Sequence, residues 1–212
     1  MIIVLTGFMG CGKSSVAEAL SPLMGCFHFD LDDTILMEEG FDSVSEIFAS
    51  LGERAFRDME YKYLERIISD YEGFDADMVI ALGGGTVLDP RCAALLRDCG
   101  ARIIYLRASV DTLLSRLGGS TASESATGSA SADISGPDFS DRPLLCGYGP
   151  DGPCAPDGPD GLRARVSEML ALRDPVYTSV ATEIVDTDGL DVASVASSMS
   201  KFSSNTPLTT GC

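Results

Sequence analysis

The segment that most constrains the fold of this chain is residues 7–14, GFMGCGKS. It matches the pattern GxxxxGK[ST], in which the glycines let the backbone curl so that successive N–H groups point inward around an anion. A short apolar run precedes it at residues 2–6, and residues 13–24 follow with helical spacing. A strand, this loop and a helix in succession predict a phosphate cradle, with Lys13 reaching the β- and γ-phosphates and Ser14 ligating Mg²⁺.

Apolar runs and helical stretches alternate along the rest of the chain. Because strands that alternate with helices form parallel sheets covered on both faces, the pattern predicts a three-layer α/β fold. The length of 212 residues suits one such domain with a core of its own. Buried strands are predicted at residues 2–6, 26–29, 78–82, 102–106 and 182–185, and helices at 13–24, 53–68, 90–99, 110–117 and 162–172.

Two segments break this pattern. Residues 118–140 consist almost only of Gly, Ser, Ala, Thr and Asp, and residues 147–161 are rich in Gly, Pro and Asp. Because neither segment can bury much apolar area, both are predicted to be mobile loop insertions in a single domain of residues 1–200. Residues 201–212 are polar and are predicted to form a flexible C-terminal tail.

The charge balance narrows the possible partners. A net charge of -17 argues against nucleic acid and against an anionic membrane surface as partners.

The seven cysteines are an odd number without a CxxC pair, so a disulfide framework or zinc site is not indicated and reduced thiols are expected. No signal peptide or membrane-spanning run is recognised, and no apolar surface helix stands out as an interface, so a cytoplasmic monomer is expected.

Three further clusters lie at predicted strand ends or beside the predicted core. Residues 29–33, FDLDD, offer alternate carboxylates that suit magnesium water and an acceptor hydroxyl, although aspartates are also common helix N-caps. Residues 52–60, GERAFRDME, place Arg57 and Glu60 on one side of a helix, for which a solvated charged face is the alternative. Residues 81–87, ALGGGTV, either allow close backbone approach to a ligand or make a flexible turn.

With these clusters in this order, the chain resembles the shikimate kinase family. The loop start GFMG, residues 142–145 (RPLL) and residues 173–177 (RDPVY) are similar to that family's motifs, and the resemblance runs from Ile2 to about Val195. It implies a nucleoside-monophosphate-kinase-like fold, with a five-stranded parallel sheet flanked by helices and a long flexible lid. It also implies Mg²⁺- and ATP-dependent phosphorylation of shikimate to shikimate 3-phosphate, a step of chorismate and aromatic amino-acid biosynthesis.

The resemblance assigns roles to individual residues. Arg57 and Arg173 would grip the shikimate carboxylate, because a guanidinium fork matches a carboxylate with two parallel hydrogen bonds. Glu60 would orient Arg57. The catalytic residues would be Lys13, Asp32 as a base, and Arg142 from the lid, and the metal residues would be Ser14 and Asp30. ATP would be bound by Gly7, Gly10, Cys11, Gly12, Lys13, Ser14, Ser15 and Arg116, and shikimate by Asp32, Phe48, Phe56, Arg57, Glu60, Gly83, Gly84, Gly85 and Arg173.

Two alternatives stay open from the residues alone. One is another small-molecule kinase on the same fold, such as a gluconate kinase, and the other is a nucleotide-binding regulatory module without turnover. The chain also departs from the family in its two insertions. A further departure is residues 188–190, DGL, where the family often offers an arginine near the adenine, so nucleotide selectivity is left open.

Overall fold

The computed structural model describes residues 1–71, 76–118, 147–149, 152–154 and 158–200. The β-strands are β1 (Ile2–Thr6), β2 (Phe27–Asp30), β3 (Met78–Ala81), β4 (Arg102–Arg107), β5 (Gly147–Gly149), β6 (Gly152–Cys154) and β7 (Glu183–Asp186). The α-helices are α1 (Lys13–Met24), α2 (Leu31–Glu39), α3 (Val44–Tyr71), α4 (Pro90–Asp98), α5 (Val110–Gly118), α6 (Gly158–Val180) and α7 (Val192–Ser200), with one 3₁₀ turn at Thr86–Leu88.

Five strands form one parallel sheet in the order β2-β3-β1-β4-β7. Helix α1 packs on β1, β2, β3 and α7, whereas α6 packs on β4 and the 3₁₀ turn. The prediction of a five-stranded parallel sheet flanked by helices is therefore confirmed. Because the strands are parallel, their carboxyl ends meet at one edge, which is where open α/β sheets bind ligands. The glycine loop, the aspartates after β2 and the three glycines after β3 all lie at that edge.

The core is centred on the inner strands. Every residue of β1 and β3 is buried, as are the apolar residues 103–106 of β4. Strands covered on both faces need apolar side chains on both faces, which is why their sequences read as continuous apolar runs.

The prediction that residues 26–29 and 182–185 form strands is confirmed to within one residue, but the prediction that these strands are buried is wrong. Both segments form edge strands, β2 and β7, and each pairs with only one neighbour. The Phe27 side chain is 64% exposed, and Phe29 and Ile184 are exposed as well. An apolar run predicts a strand, but strand order decides which runs lie inside the sheet.

Helix α1 has its predicted bounds, whereas α3 and α6 extend beyond theirs. Helix α2 begins where the Asp30 carboxylate accepts hydrogen bonds from the N–H groups of Asp32 and Asp33, so this cluster does serve as an N-cap. Helix α3 begins nine residues before the predicted start and changes direction at Gly52 (φ 83°, ψ 163°), a conformation that favours glycine. Helix α6 continues through Pro175 to Val180, and α7 was not predicted.

Part of the second insertion has regular structure. The strands β5 and β6 form an antiparallel pair, and α6 begins at Gly158, so residues 147–161 are not an unbroken loop. Residues 119–140 of the first insertion and the tail at residues 201–212 lie outside the described residues. None of the described helices is both long and apolar enough to cross a membrane.

Candidate active site

The glycine loop between β1 and α1 is shaped by backbone conformations that side chains disfavour. Gly7, Gly10 and Gly12 have φ of 142°, 80° and 101°. A Cβ on Gly7 would also lie 2.6 Å from the carbonyl oxygen of Leu106 on β4. Gly12 caps α1 without a side-chain hydrogen bond, so the first N–H groups of the helix face the loop and favour an anion there.

The Lys13 side chain crosses the mouth of this loop. It is 8% exposed, and its Nζ donates hydrogen bonds to the carbonyl oxygens of Gly7 (3.0 Å) and Phe8 (3.1 Å). The ammonium group is thus held at the centre of the loop, where it can meet a phosphate group.

A cavity of about 390 Å³ opens beside Lys13. Such a volume suits a small molecule. Its walls come from the glycine loop, the segment after β2, α3, the glycines after β3, and α6. The lining residues are Met9, Gly10, Lys13, Ser14, Asp30, Asp32, Asp33, Val44, Phe48, Phe56, Arg57, Glu60, Leu82, Gly83, Gly84, Gly85 and Arg173. All nine residues predicted to bind shikimate are among them.

Arg57 is fixed on the cavity wall by two carboxylates of its own helix. Its Nη1 donates to Glu60 at 2.6 Å, and its Nη2 donates to Glu53 at 2.9 Å. Glu60 is fully buried, whereas the Glu53 side chain is 54% exposed. The guanidinium also lies over the rings of Phe48 and Phe56, which contact each other. The alternative of a solvated charged helix face is therefore excluded for Arg57 and Glu60.

Arg173 reaches the same cavity from α6. Its Nη1 donates to the carbonyl oxygen of Gly84 at 3.3 Å, and its guanidinium lies 5.8 Å from the centre of the Phe8 ring. The Tyr177 hydroxyl, one helical turn further on, also donates to the Gly84 carbonyl. Tyr177 is buried, and its ring contacts that of Tyr105. The three glycines are thus a fixed turn tied to α6 rather than a flexible one.

Asp32 is a strongly perturbed acid of this cavity. Burial, followed by the nearby carboxylates of Glu60 and Asp30, raises its pKa to about 7, although Lys13 and Arg57 oppose the shift. Its Oδ1 is buried without a hydrogen-bond partner, and a Cβ on Gly83 would lie 2.7 Å from it. An acid with a pKa near neutrality on the wall of a cavity suits proton transfer.

Ser14 and Asp30 line this cavity beside Lys13. Hydroxyl and carboxylate oxygens are the ligands that Mg²⁺ prefers, and this ion binds through few protein groups when phosphates supply the rest. One Asp30 oxygen already caps α2. Within the described ranges no group of three or more His, Cys, Asp or Glu side chains could hold a metal ion. The donors present therefore fit a Mg²⁺ that is bound mainly through nucleotide phosphates.

A second cavity, of about 560 Å³, is also lined by Lys13. Arg116 of α5 spans its floor, because its guanidinium donates to the carbonyl oxygens of Cys11 (3.0 Å) and Thr187 (2.9 Å) and to the Thr187 hydroxyl (3.1 Å). The lining residues are Gly10, Cys11, Gly12, Lys13, Ser14, Ser15, Val16, Arg116, Thr187, Leu190, Asp191, Val192 and Val195. Gly10, Lys13 and Ser14 line both cavities, so a phosphate chain in the glycine loop would join them.

The structure thus brings together the predicted site residues that it describes. Gly7 lines neither cavity but accepts the Lys13 hydrogen bond. Arg142 lies outside the described residues. The sequence reasoning missed Thr86, the role of the Tyr177 hydroxyl, and the apolar wall of the second cavity. Thr86 and Tyr177 lie within residues 81–87 and 173–177, but their partners are distant in sequence and no local signal indicates them.

Comparisons with known proteins agree with this arrangement. The family model described as shikimate kinase matches residues 9–133. A shikimate kinase of Chlorobaculum parvum is 34% identical over 200 residues, covering 94% of this chain and 90% of that protein. A shikimate kinase of Streptomyces coelicolor is 33% identical over 188 residues, covering 89% and 86%.

Solved structures share the fold. The shikimate kinase of Acinetobacter baumannii in complex with shikimate superposes with a TM-score of 0.74, at 24% identity and with 98% and 94% of the two chains covered. The shikimate kinase of Aquifex aeolicus gives a TM-score of 0.66, at 19% identity and with 96% of each chain covered.

Proposed function

The chain belongs to the shikimate kinase family, and we propose that it transfers the γ-phosphoryl group of ATP to the 3-hydroxyl of shikimate. The family identifies it as an ATP-dependent phosphotransferase. The observation that carries the choice of acceptor is the meeting of Arg57 and Arg173 in the cavity beside Lys13. Two arginines from separate helices in one small cavity suit a small molecule with a carboxylate.

Binding of the acceptor divides into recognition of its two ends. The carboxylate accepts hydrogen bonds from Arg57 and Arg173, and the apolar ring face lies against Phe48 and Phe56. The hydroxyl to be phosphorylated then points toward Asp32 and the glycine loop, which line the same cavity. Holding two reactants in this geometry removes much of the entropic barrier to transfer.

In the transfer step the hydroxyl oxygen attacks the γ-phosphorus as the bond from that phosphorus to the β-phosphate oxygen breaks. Asp32 accepts the hydroxyl proton, and ADP leaves with the electron pair. Lys13 and the N–H groups of the glycine loop stabilise the charge that develops on the phosphate oxygens. Mg²⁺, held through Ser14 and Asp30, would supply further neutralisation of the phosphates. The contribution of Arg142 and the lid role of residues 118–140 stay predictions.

The proposal is tested by ADP release from Mg-ATP with and without shikimate in a coupled assay. Release that depends on shikimate is expected, with little hydrolysis of ATP alone. ADP release that does not depend on shikimate but does depend on gluconate or another hydroxy acid would identify that molecule as the acceptor instead. Nucleotide binding without any release would indicate a regulatory module.

The arginine roles are tested separately by Arg57→Ala and Arg173→Ala. Each loses a charge-assisted hydrogen-bonded contact, so the KM for shikimate should rise by about 30-fold or more while the KM for ATP changes little. Arg66→Ala is the matched control, because Arg66 lies on the same helix as Arg57 but pairs with Glu38 on the surface. An unchanged KM for shikimate in both site variants would contradict the assignment.

We also infer a cytoplasmic monomer. No disulfide links Cys11, Cys26 or Cys92 among the described residues, which suits a reducing compartment. A net charge of -17 makes copies of the chain repel one another. Light scattering of the purified protein should give a mass near 22.3 kDa, and a mass of twice that value would exclude the monomer.

A further inference from the structure

Thr86 is a buried hydroxyl that the reaction itself does not use. It begins the 3₁₀ turn that follows the three glycines, and it is fully buried. Its Oγ1 lies 2.5 Å from Glu60 Oε1 and 3.2 Å from the carbonyl oxygen of Gly83. A hydroxyl has one proton to donate, and the shorter contact is the one to the carboxylate.

Glu60 receives a different partner on each carboxylate oxygen. Oε1 accepts the Thr86 hydrogen bond, and Oε2 accepts the one from Arg57 Nη1 at 2.6 Å. Burial raises the pKa of Glu60, whereas Arg57 and the Thr86 hydrogen bond oppose that rise. A fully buried carboxylate is costly unless both of its oxygens are satisfied, and Thr86 and Arg57 each satisfy one oxygen of Glu60.

The Thr86 contact also fixes the orientation of the carboxylate. The terminal torsion of a glutamate is broad, so one hydrogen bond alone leaves the carboxylate plane free to turn. A second bond, on the other oxygen, removes that freedom and leaves Oε2 directed at Arg57. The other terminal nitrogen of Arg57 donates to the exposed carboxylate of Glu53.

We propose that Thr86 is a positioning residue for the acceptor: through Glu60, its hydroxyl holds Arg57 in the orientation that receives the acceptor carboxylate. This inference rests on the proposed function, in which Arg57 grips shikimate. It adds the residue that directly follows the three glycines, so that this segment both borders the acceptor and orients the arginine that binds it.

The test compares Thr86→Val, which keeps the shape but removes the hydroxyl, with Thr86→Ser, which keeps the hydroxyl. Thr86→Val should raise the KM for shikimate by about tenfold, while kcat and the KM for ATP should change less than about twofold. The reason is that only the contact between Arg57 and the acceptor carboxylate is weakened. Thr86→Ser should restore the KM for shikimate to within about threefold of the parent value.

A double-mutant cycle with Arg57→Ala separates this role from a general structural one. If Thr86 acts through Arg57, then Thr86→Val should change the KM for shikimate less than about twofold once Arg57 is already alanine. Full additivity of the two changes would overturn the proposal, and so would an unchanged KM in Thr86→Val or a failure of Thr86→Ser to restore it. If Thr86→Val does not fold, Thr86→Cys, a weaker donor of similar shape, takes its place in the same cycle.

The parent protein is measured first in the same assay. A parent without shikimate-dependent ADP release would contradict the proposed function itself. A parent with normal acceptor dependence, together with an insensitive Thr86→Val variant, would contradict only the positioning role.

Discussion

The Cβ that an alanine would add at Gly85 lies 2.5 Å from both terminal nitrogens of Arg57. Gly85 itself has φ −116° and ψ −8°, a conformation open to any residue. The glycine is therefore needed for space and not for backbone freedom. Gly85→Ala should push the Arg57 guanidinium from the cavity wall and raise the KM for shikimate by about tenfold or more, as measured by steady-state kinetics.

Gly25→Ala is the control for this prediction. Gly25 ends α1 at φ 64°, and an added Cβ would meet nothing within 4 Å. That variant should lose about 1 kcal/mol of stability and keep its KM for shikimate. Equal effects of Gly85→Ala and Gly25→Ala on that KM would show that the contact with Arg57 does not matter.

Arg116 supports a second prediction, on the nucleotide side. Its guanidinium ties the carbonyl of Cys11 in the glycine loop to Thr187 after β7. Arg116→Ala should loosen the floor of the second cavity and raise the KM for ATP by about tenfold, while the KM for shikimate changes little. Arg163→Ala is the matched control, because Arg163 pairs on the surface with Asp111 of α5. A rise confined to the KM for shikimate would contradict this division of the site.

The parts of the fold that the sequence predicts are those with a strong local pattern. The glycine loop is one, because a strand, a helix start and three positive-φ glycines coincide within residues 2–24. The central strands are another, since burial on both faces leaves an unbroken apolar run. The exposure of Phe27 could not be predicted in this way, because it depends on strand order, which no local pattern contains.

The same distinction, between features with a local sequence pattern and features that depend on the whole fold, applies to the site. Lys13 is recognisable from the glycine-loop pattern, whereas Asp32 and Arg57 each had a structural alternative and received their roles from the family resemblance. Thr86 and Tyr177 hold their partners across long sequence separations, and their hydroxyls look ordinary until the partner is known. Arg173 gained its meaning only from the family resemblance, since a single arginine on a long helix is usually a solvated one.

The raised pKa of Asp32 predicts the pH dependence of the reaction. Burial above all, and then Glu60 and Asp30, raise the pKa of this acid to about 7, so the base is protonated below that pH. The acceptor kcat/KM should therefore fall by about tenfold for each pH unit on the acid side, as read from a pH profile. Asp33→Asn, a change at the neighbouring aspartate, should keep the same fall of kcat/KM on the acid side of the profile. A flat profile between pH 5 and 8 would exclude Asp32 as the base.

The same shift predicts how stability depends on pH. The folded-state pKa of Asp32, about 7, is above its ordinary value of 3.8, so the folded protein binds the proton more tightly than the unfolded chain. Ionisation of Asp32 thus removes stability as the pH rises from about 4 to about 7, and the full cost persists above that range. Asp32→Asn, which cannot ionise, should raise the Tm more at pH 8 than at pH 5, by roughly 5 °C or more in differential scanning calorimetry.

Asp186→Asn is the control of opposite sign. The hydrogen-bonded Arg107 lowers the pKa of Asp186, so this carboxylate stabilises the folded state at neutral pH and loses that effect as the pH falls through its folded-state pKa. Its replacement should lower the Tm only slightly at pH 8, because both side chains are largely exposed and water screens the pair.

If Asp32→Asn gave the same change in Tm at pH 5 and pH 8, ionisation of Asp32 would not be the cause of that change. The missing hydrogen-bond partner of Asp32 Oδ1 would then explain the gain, since an amide meets the same neighbours at either pH.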